Sequence, residues 1–271
     1  MHHASAPMAA RAVIAALGLT CLLHGPLSRG LAGQTSTSPP PAPAPDFSGV
    51  WEMQSSPATR YLSYAFSGTE PPMTAWAQDR FKATKPSFGP RAVEASNDPV
   101  NPTTVNAVGC FPPGVPRIYL HPFPMEIIQT PGRVIMFFEF GHFVRQISTD
   151  GRPHNTDLGP TWMGDSTGRW EGDTLVVDTI GFNDKTWIDR AGHPHSDALH
   201  VIERFTPVSP YHLMYEATIE DPKVFTRPWK ISFPLYRRME ENIQLLEFKC
   251  VPFTEELLYG RLRKQPRQAS R

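Results

Sequence analysis

Cysteine, charge and long apolar stretches are all scarce in this sequence. Its 271 residues include three cysteines, 19% are charged, and the formal net charge is zero. A chain without a basic excess lacks the electrostatic footprint of a nucleic-acid binder, so we predict no nucleic-acid partner. It also has no glycine-rich loop of the kind that cradles a phosphate, and we predict no cofactor.

An apolar run at the N-terminus, over residues 12–23, is too short to span a bilayer comfortably. Small residues follow at Gly30 and Ala32, as signal peptidase prefers for a cut after Ala32. The pattern predicts a signal peptide over residues 1–32 and a periplasmic or secreted protein with no stable membrane span after cleavage. An uncleaved membrane anchor is the alternative.

Cleavage would remove Cys21 and leave Cys110 and Cys250. An even number of cysteines in an exported protein favours a disulfide bond. This bond would close a loop of about 140 residues, which the chain-entropy model values at roughly 4–5 kcal/mol. Two separate buried thiols are the alternative.

Proline, in contrast, is abundant at 30 residues, and aromatic residues make up 11% of the chain. This composition suits short strands and long ordered loops. A Pro- and Ser-rich linker over residues 33–45 precedes short β-patterns that recur over residues 46–252 without β-α-β alternation. We predict a mainly β fold, either an antiparallel, lipocalin-like barrel or a strongly coiled sheet, with a two-sheet sandwich as the rival. The last strand is predicted over residues 244–250, before a C-terminal helix and basic tail over residues 253–271.

The start of the β domain carries a G-x-W pattern, formed by Gly49 and Trp51, that resembles the first strand of lipocalin-like barrels. A long insertion over residues 54–116 follows this strand. Within it, residues 72–81 are predicted to form a short helix that Thr74 caps. An insertion of this length in a compact domain usually has a role, such as covering the mouth of a pocket.

Several motifs together resemble a large family of exported bacterial proteins of unknown function. They are residues 110–117 (CFPPGVPR), 129–133 (QTPGR), 145–147 (RQI), 149–154 (TDGRPH), 168–178 (GRWEGDTLVVD) and 192–196 (GHPHS). The resemblance covers about residues 46–252. It implies export but no particular activity, so the chemistry has to be argued from the residues.

Strand alternation places Arg145, Asp178 and Glu203 among apolar neighbours on the same strand faces. An isolated buried charge is costly, so such groups are either paired or face a wet cavity. Cross-strand ion pairs on the outer surface are the alternative. The pattern leaves open which face lies inside.

Histidines and acids gather between residues 142 and 197. The set consists of His142, Arg145, Asp165, Asp184, His193, His195 and Asp197. A histidine oriented by a carboxylate transfers protons near neutral pH, so we predict catalytic roles for His142, Asp165, His193 and His195. A metal site built on His193 and His195 is a weaker alternative, and no metal is predicted. The other alternative is structural, with these side chains satisfying the backbone of a long loop.

Three tryptophans, Trp162, Trp170 and Trp187, lie in the same polar stretch, where an indole face can stack on a ring. The predicted substrate-binding residues are Arg145, Trp162, Asp178, Asp184, Trp187 and Glu203. We expect an exported protein that handles a small molecule, and one hypothesis is a lyase, isomerase or hydrolase acting on a cyclic or aromatic substrate. A non-catalytic lipocalin-like carrier and a structural or interaction domain of the envelope are the alternatives. Whether the protein is an enzyme is left open.

Overall fold

The computed structural model describes residues 44–53, 69–86, 89–93 and 110–248. The predicted signal peptide and C-terminal helix lie outside these residues, as do most of the linker and Cys250. Those predictions, and the bond between Cys110 and Cys250, therefore remain predictions.

Among the residues that the structure describes, nine strands form a closed barrel, which confirms the predicted barrel over the rival sandwich. The strands are β1 (Gly49–Glu52), β2 (Met125–Thr130), β3 (Arg133–Phe138), β4 (Val144–Ser148), β5 (Asp165–Glu171), β6 (Thr174–Ile180), β7 (His200–Ser209), β8 (His212–Glu220) and β9 (Trp229–Arg237). In the described part of the insertion between β1 and β2 lies an α-helix, α1 (Ala75–Ala83), and short 3-10 turns lie at Arg117–Leu120, Phe140–His142 and Thr156–Leu158.

The barrel closes through β1, which pairs antiparallel with both β2 and β9. The other neighbouring pairs are antiparallel as well, except that β4 and β5 run parallel. The strand predicted over residues 244–250 is wrong over its described part, because residues 243–248 carry no strand. The physical reason is that β1 already occupies the edge of β9, so the sheet offers no free edge there.

Alternation along the strands sorts the side chains between the core and the outside. On β7, Val201, Glu203 and Phe205 are buried, while the residues between them are partly exposed. The inward face therefore includes Glu203, and on β4 it includes Arg145 beside Ile147. The largest fully buried side chains include Trp51, Tyr215, Phe182, Phe205 and Phe233. Together they fill the described interior with aromatic and aliphatic groups.

Thr74 caps helix α1 as the sequence predicts, since its hydroxyl accepts a hydrogen bond from the backbone N–H of Ala77. The helix itself spans Ala75–Ala83 rather than the predicted residues 72–81. Backbone hydrogen bonds fix the helix entry to the loop between β8 and β9. Thr74 N–H donates to the carbonyl of Val224 at 2.8 Å, and Thr226 N–H donates to that of Pro72 at 2.8 Å. The insertion thus places α1 against that loop.

Within the described part of the chain, no helix is both long and apolar enough to cross a lipid bilayer.

Candidate functional site

The residues predicted as a site do not converge on one space but occupy separate parts of the barrel. Arg145 and Glu203 lie inside it, and Asp165 and Asp178 lie on its outer face. His193, His195 and Asp184 belong to the long loop over residues 181–199, between β6 and β7. The predicted site residues therefore share no single space, because neighbouring positions on a strand point to opposite sides of the sheet and the histidines of the loop lie outside the barrel strands.

Inside the barrel, Arg145 and Glu203 form a buried ion pair, with side chains that are 2% and 0% exposed. The guanidinium donates through one nitrogen to Glu203 Oε1 at 2.9 Å and through the other to Oε2. It also donates to the hydroxyls of Tyr119, Ser166 and Thr179.

Every charge in this network has a partner, and Tyr215 Oη donates a further hydrogen bond to Glu203 Oε1 at 3.0 Å. Burial opposes the charge of Arg145, but the carboxylate of Glu203 outweighs that effect and raises the arginine pKa. Burial is also the main reason why the pKa of each tyrosine, Tyr119 and Tyr215, is raised. The geometry is that of a satisfied structural network rather than a substrate site.

On the outer face, five acids and histidines alternate in one hydrogen-bonded row. His154 bonds Asp165 through Nδ1 at 2.8 Å and Asp178 through Nε2 at 2.9 Å. His200 bonds the other oxygen of Asp178 through Nε2 at 3.0 Å and lies 3.3 Å from Glu220 through Nδ1. We name this set, Asp165, His154, Asp178, His200 and Glu220, the outer row.

His195 is buried in the loop over residues 181–199, and its hydrogen bonds define its tautomer. Its Nδ1 lies 3.0 Å from the carbonyl oxygen of Ser196, which can only accept, so Nδ1 carries the proton. Its Nε2 then accepts from the hydroxyl of Thr186 at 2.6 Å. Burial lowers the pKa of His195, which agrees with a neutral ring.

His193 in the same loop has acidic partners on both ring nitrogens. Nδ1 lies 2.6 Å from Asp189 Oδ2, and Nε2 lies 2.9 Å from Glu70 Oε2. The ring also stacks on Phe81 of α1, with centroids 4.2 Å apart and planes 8° apart. Sequence reasoning identified His193 but missed both carboxylates.

The remaining predicted residues lie elsewhere. His142 Nε2 accepts from the backbone N–H of Phe248 at 2.9 Å. Trp162 stacks on Phe111, with ring centroids 4.5 Å apart. The guanidinium of Arg117 lies 5.3 Å from the ring centroid of Trp187. These contacts account for the three side chains as structural partners.

One cleft brings predicted residues together with groups from the insertion. It has a volume of about 280 Å³ and an opening to solvent. Its lining comprises Trp76, Arg80, Asp184, His195, Ser196, Asp197 and Lys223. We call it the Trp76 cleft.

The walls of the Trp76 cleft come from α1, from the loop over residues 181–199 and from the loop between β8 and β9. Trp76 is 49% exposed, and the guanidinium of Arg80 lies 5.1 Å from its ring centroid. Lys223 Nζ donates to Asp197 Oδ1 at 2.6 Å. The carboxylate of Asp184 is exposed. The cleft thus offers an indole surface beside charges of both signs.

Buried bonds hold the floor of the Trp76 cleft in place. Asp221 accepts from the backbone N–H of Ser196 at 2.6 Å and from its hydroxyl at 2.8 Å. Ser196 is therefore a structural anchor between two walls.

Among the described residues, no group of three or more His, Cys, Asp and Glu side chains is arranged to hold a metal ion.

Sequence reasoning missed Trp76, Arg80 and Lys223 as cleft residues. The helical spacing of Trp76 and Arg80 was visible, but nothing in the sequence placed that helix face beside the loop over residues 181–199. In the outer row it missed His154, His200 and Glu220, although His154 ends the TDGRPH motif.

Neither a scan against protein-family models nor a search of curated proteins gives a match to this chain.

Proposed function

We propose that the protein is exported and binds a small hydroxylated ring compound in the Trp76 cleft. The observation that carries this proposal is the half-exposed indole of Trp76 next to the exposed carboxylate of Asp184 in one 280 Å³ cleft. An indole face stacks on the apolar face of a ring, and a carboxylate accepts hydrogen bonds from its hydroxyls. The proposal includes a signal peptide over residues 1–32 and a disulfide between Cys110 and Cys250.

The position of the cleft distinguishes this proposal from a lipocalin-like carrier. A carrier would hold its ligand inside the barrel, where Arg145, Glu203 and aromatic core residues are packed. A ligand there would have to displace a fully paired buried ion pair, and breaking such a pair is costly. Binding in the Trp76 cleft leaves the core of the barrel intact.

The proposal is binding without a chemical step. Both ring nitrogens of His195, the histidine in the Trp76 cleft, are already hydrogen-bonded to Thr186 and Ser196. Its neutral state and its buried partners make it a poor proton donor to a ligand. His193 also has both nitrogens occupied.

The test is an NMR titration of the ¹⁵N-labelled mature protein with glucose, glucosamine and glucuronic acid. We expect at least one compound to shift the indole N–H signal of Trp76 in a saturable way. That signal is assigned by its loss in Trp76→Phe. Asp184→Asn should weaken binding about tenfold, because a hydrogen bond to a charged group contributes roughly 1.5–3 kcal/mol.

Trp162→Phe is the matched control, since Trp162 stacks on Phe111 and does not line the cleft. It should leave the dissociation constant unchanged. The proposal fails if none of the three compounds shifts the Trp76 signal, or if Trp162→Phe weakens binding as much as Asp184→Asn does.

A further inference from the structure

His193 belongs to one wall of the Trp76 cleft and contacts a second one. It belongs to the loop over residues 181–199, yet its ring stacks on Phe81 of α1 at 4.2 Å. Its Nε2 reaches Glu70, in the segment that leads into α1, at 2.9 Å. The imidazole of His193 thus links the helix that carries Trp76 to the loop that carries Asp184, beside a hydrogen bond of 3.2 Å from the hydroxyl of Thr84 to the carbonyl of Gly192.

The partners of His193 specify its protonation state. A neutral imidazole has one N–H, but both of its nitrogens face carboxylate oxygens, of Asp189 at 2.6 Å and Glu70 at 2.9 Å. Two ionised carboxylates can only accept, so both contacts are hydrogen bonds when the ring carries two protons. Burial opposes that charge, but Asp189 and Glu70 outweigh the opposition and raise the pKa of His193.

Asp189 also holds the turn from which His193 projects. Its Oδ1 accepts from the backbone N–H groups of Ala191 at 3.0 Å, Gly192 at 3.1 Å and His193 at 3.2 Å. Gly192 has a φ of 94°, and a Cβ there would lie 2.6 Å from the hydroxyl of Thr84 just after α1. The turn is therefore packed closely against the end of the helix.

The charged groups around His193 come from four segments. Asp189 belongs to its own loop and Glu70 to the segment before α1. Arg91, from the segment after α1, lies over the Phe81 ring at 3.9 Å and interacts electrostatically with both acids. Arg117, just before β2, interacts with Asp189. The imidazolium shares its two acids with these arginines, and it is the group among them whose charge changes near neutral pH.

We propose that His193 is a positioning residue that clamps the loop wall of the Trp76 cleft to its helix wall while the imidazole is doubly protonated, and that the cleft loosens when the ring becomes neutral. This inference rests on the proposed function, since it concerns regulation of the same site. Because the folded-state pKa is raised, the clamp is fully present below the ordinary histidine pKa. It is lost as the pH rises through the folded value.

The experiment combines two measurements on the mature protein that need no ligand. NMR follows the titration of the His193 ring, and hydrogen exchange, corrected for intrinsic rates, follows the amides of Ala191, Gly192 and His193 and those of α1. We expect the protection of these amides to fall about tenfold as His193 loses its proton, because one charge-assisted hydrogen bond is lost.

Two variants separate a pH-dependent clamp from a merely structural contact. Glu70→Gln keeps a hydrogen-bond acceptor on a side chain that is 64% exposed, so the fold should be retained. It should lower the pKa of His193 and move the exchange transition with it. His193→Gln should abolish the transition. His212→Gln is the control, since His212 bonds Ser209 at the turn between β7 and β8, and it should leave the transition unchanged.

The clamp is refuted if His193 titrates while the amides keep their protection, or if the transition persists in His193→Gln. Titration above and below the transition with whichever of the three compounds binds then links the clamp to binding, which should weaken at higher pH. If no compound binds at any pH while the exchange transition follows His193, the proposed function fails and the clamp stands.

Discussion

At the scale of single residues, Arg145 shows how this barrel tolerates a charge in its interior. The guanidinium forms hydrogen bonds with Glu203 and three hydroxyls, so none of its nitrogens is left without a partner. Removing one member of such a pair leaves the other charge buried alone. The cost comes from that stranded charge rather than from the lost attraction itself.

We therefore expect Arg145→Met to lower the free energy of unfolding by about 3–5 kcal/mol, measured by urea denaturation at pH 7. The double variant Arg145→Met/Glu203→Met should be more stable than the single one, because it buries no unpaired charge. Arg204→Met is the matched control, since Arg204 pairs with Glu171 and both side chains are 40% exposed. This control should lower the free energy of unfolding by less than about 1 kcal/mol. A double variant as unstable as Arg145→Met would show that packing, not charge, dominates the site.

Sequence alternation predicted that Arg145, Asp178 and Glu203 would each sit among apolar neighbours and would be paired or face a wet cavity, with ion pairs on the outer surface as the alternative. Asp178 follows the alternative, since it pairs with His154 and His200 on the outer face. For Arg145 and Glu203 the structure confirms that the charges are paired, and the two partners lie 58 positions apart in the sequence. No local pattern specifies a partner at that separation, so the pairing itself was beyond prediction. His193 illustrates the same limit, because its partner Glu70 lies 123 positions away.

At the scale of secondary-structure elements, the outer row ties together the outer faces of β5, β6, β7 and β8. Asp178 on β6 is its central member, because each of its two oxygens meets one histidine. Burial acts to raise the pKa of Asp178, but the hydrogen bonds from His200 and His154 outweigh it, so the pKa is lowered. The ionised carboxylate therefore contributes stability.

We expect Asp178→Asn to reduce the free energy of unfolding by about 0.5–1 kcal/mol at pH 7, a modest amount because the pair is partly exposed to solvent. A lowered pKa means that this contribution is present above the unfolded value, about 3.9, and is lost as the pH falls through the folded value. Denaturation curves of the variant and the parent should therefore converge in acid. Asp173→Asn, at the exposed turn between β5 and β6, should change stability little at either pH. A difference for Asp178→Asn that stays constant down to acidic pH would contradict this account.

The elements themselves were largely predictable, and the exceptions have physical causes. The cap of α1 at Thr74 follows from local hydrogen bonding, which the sequence contains. Residues 244–248 were predicted as part of a strand but form none, because β1 takes the position beside β9. The parallel pairing of β4 with β5 was not anticipated, since strand order depends on the path of the intervening loop.

At the scale of the whole molecule, the Trp76 cleft is assembled from three distant segments around the barrel. The hydroxyl of Thr74 donates to the carbonyl of Lys223, 149 positions away, and so connects the insertion to the loop between β8 and β9. Closure of the barrel brings these segments together. The sequence therefore suggested a role for the insertion and for the loop over residues 181–199, but it could not show that they share one cleft.

The predicted disulfide bond would also join two segments that are far apart in the sequence. A bond between Cys110 and Cys250 would restrict the unfolded chain over about 140 residues, and the entropy model values that restriction at roughly 4–5 kcal/mol. If the predicted export and cleavage occur, the exported protein purified without reductant should have the mass of residues 33–271 less two hydrogen atoms. Its digest should contain a peptide that joins the two cysteines.

Reduction of the bond, or the Cys110→Ser change, should lower the midpoint of urea denaturation, because the unfolded state regains its entropy. The double variant Cys110→Ser/Cys250→Ser should match the reduced protein, which separates loss of the bond from damage by a single unpaired thiol. Two free thiols in the unreduced protein would refute the predicted disulfide bond. In that case the stability of the mature chain would have to come from the barrel core and from the Arg145–Glu203 network.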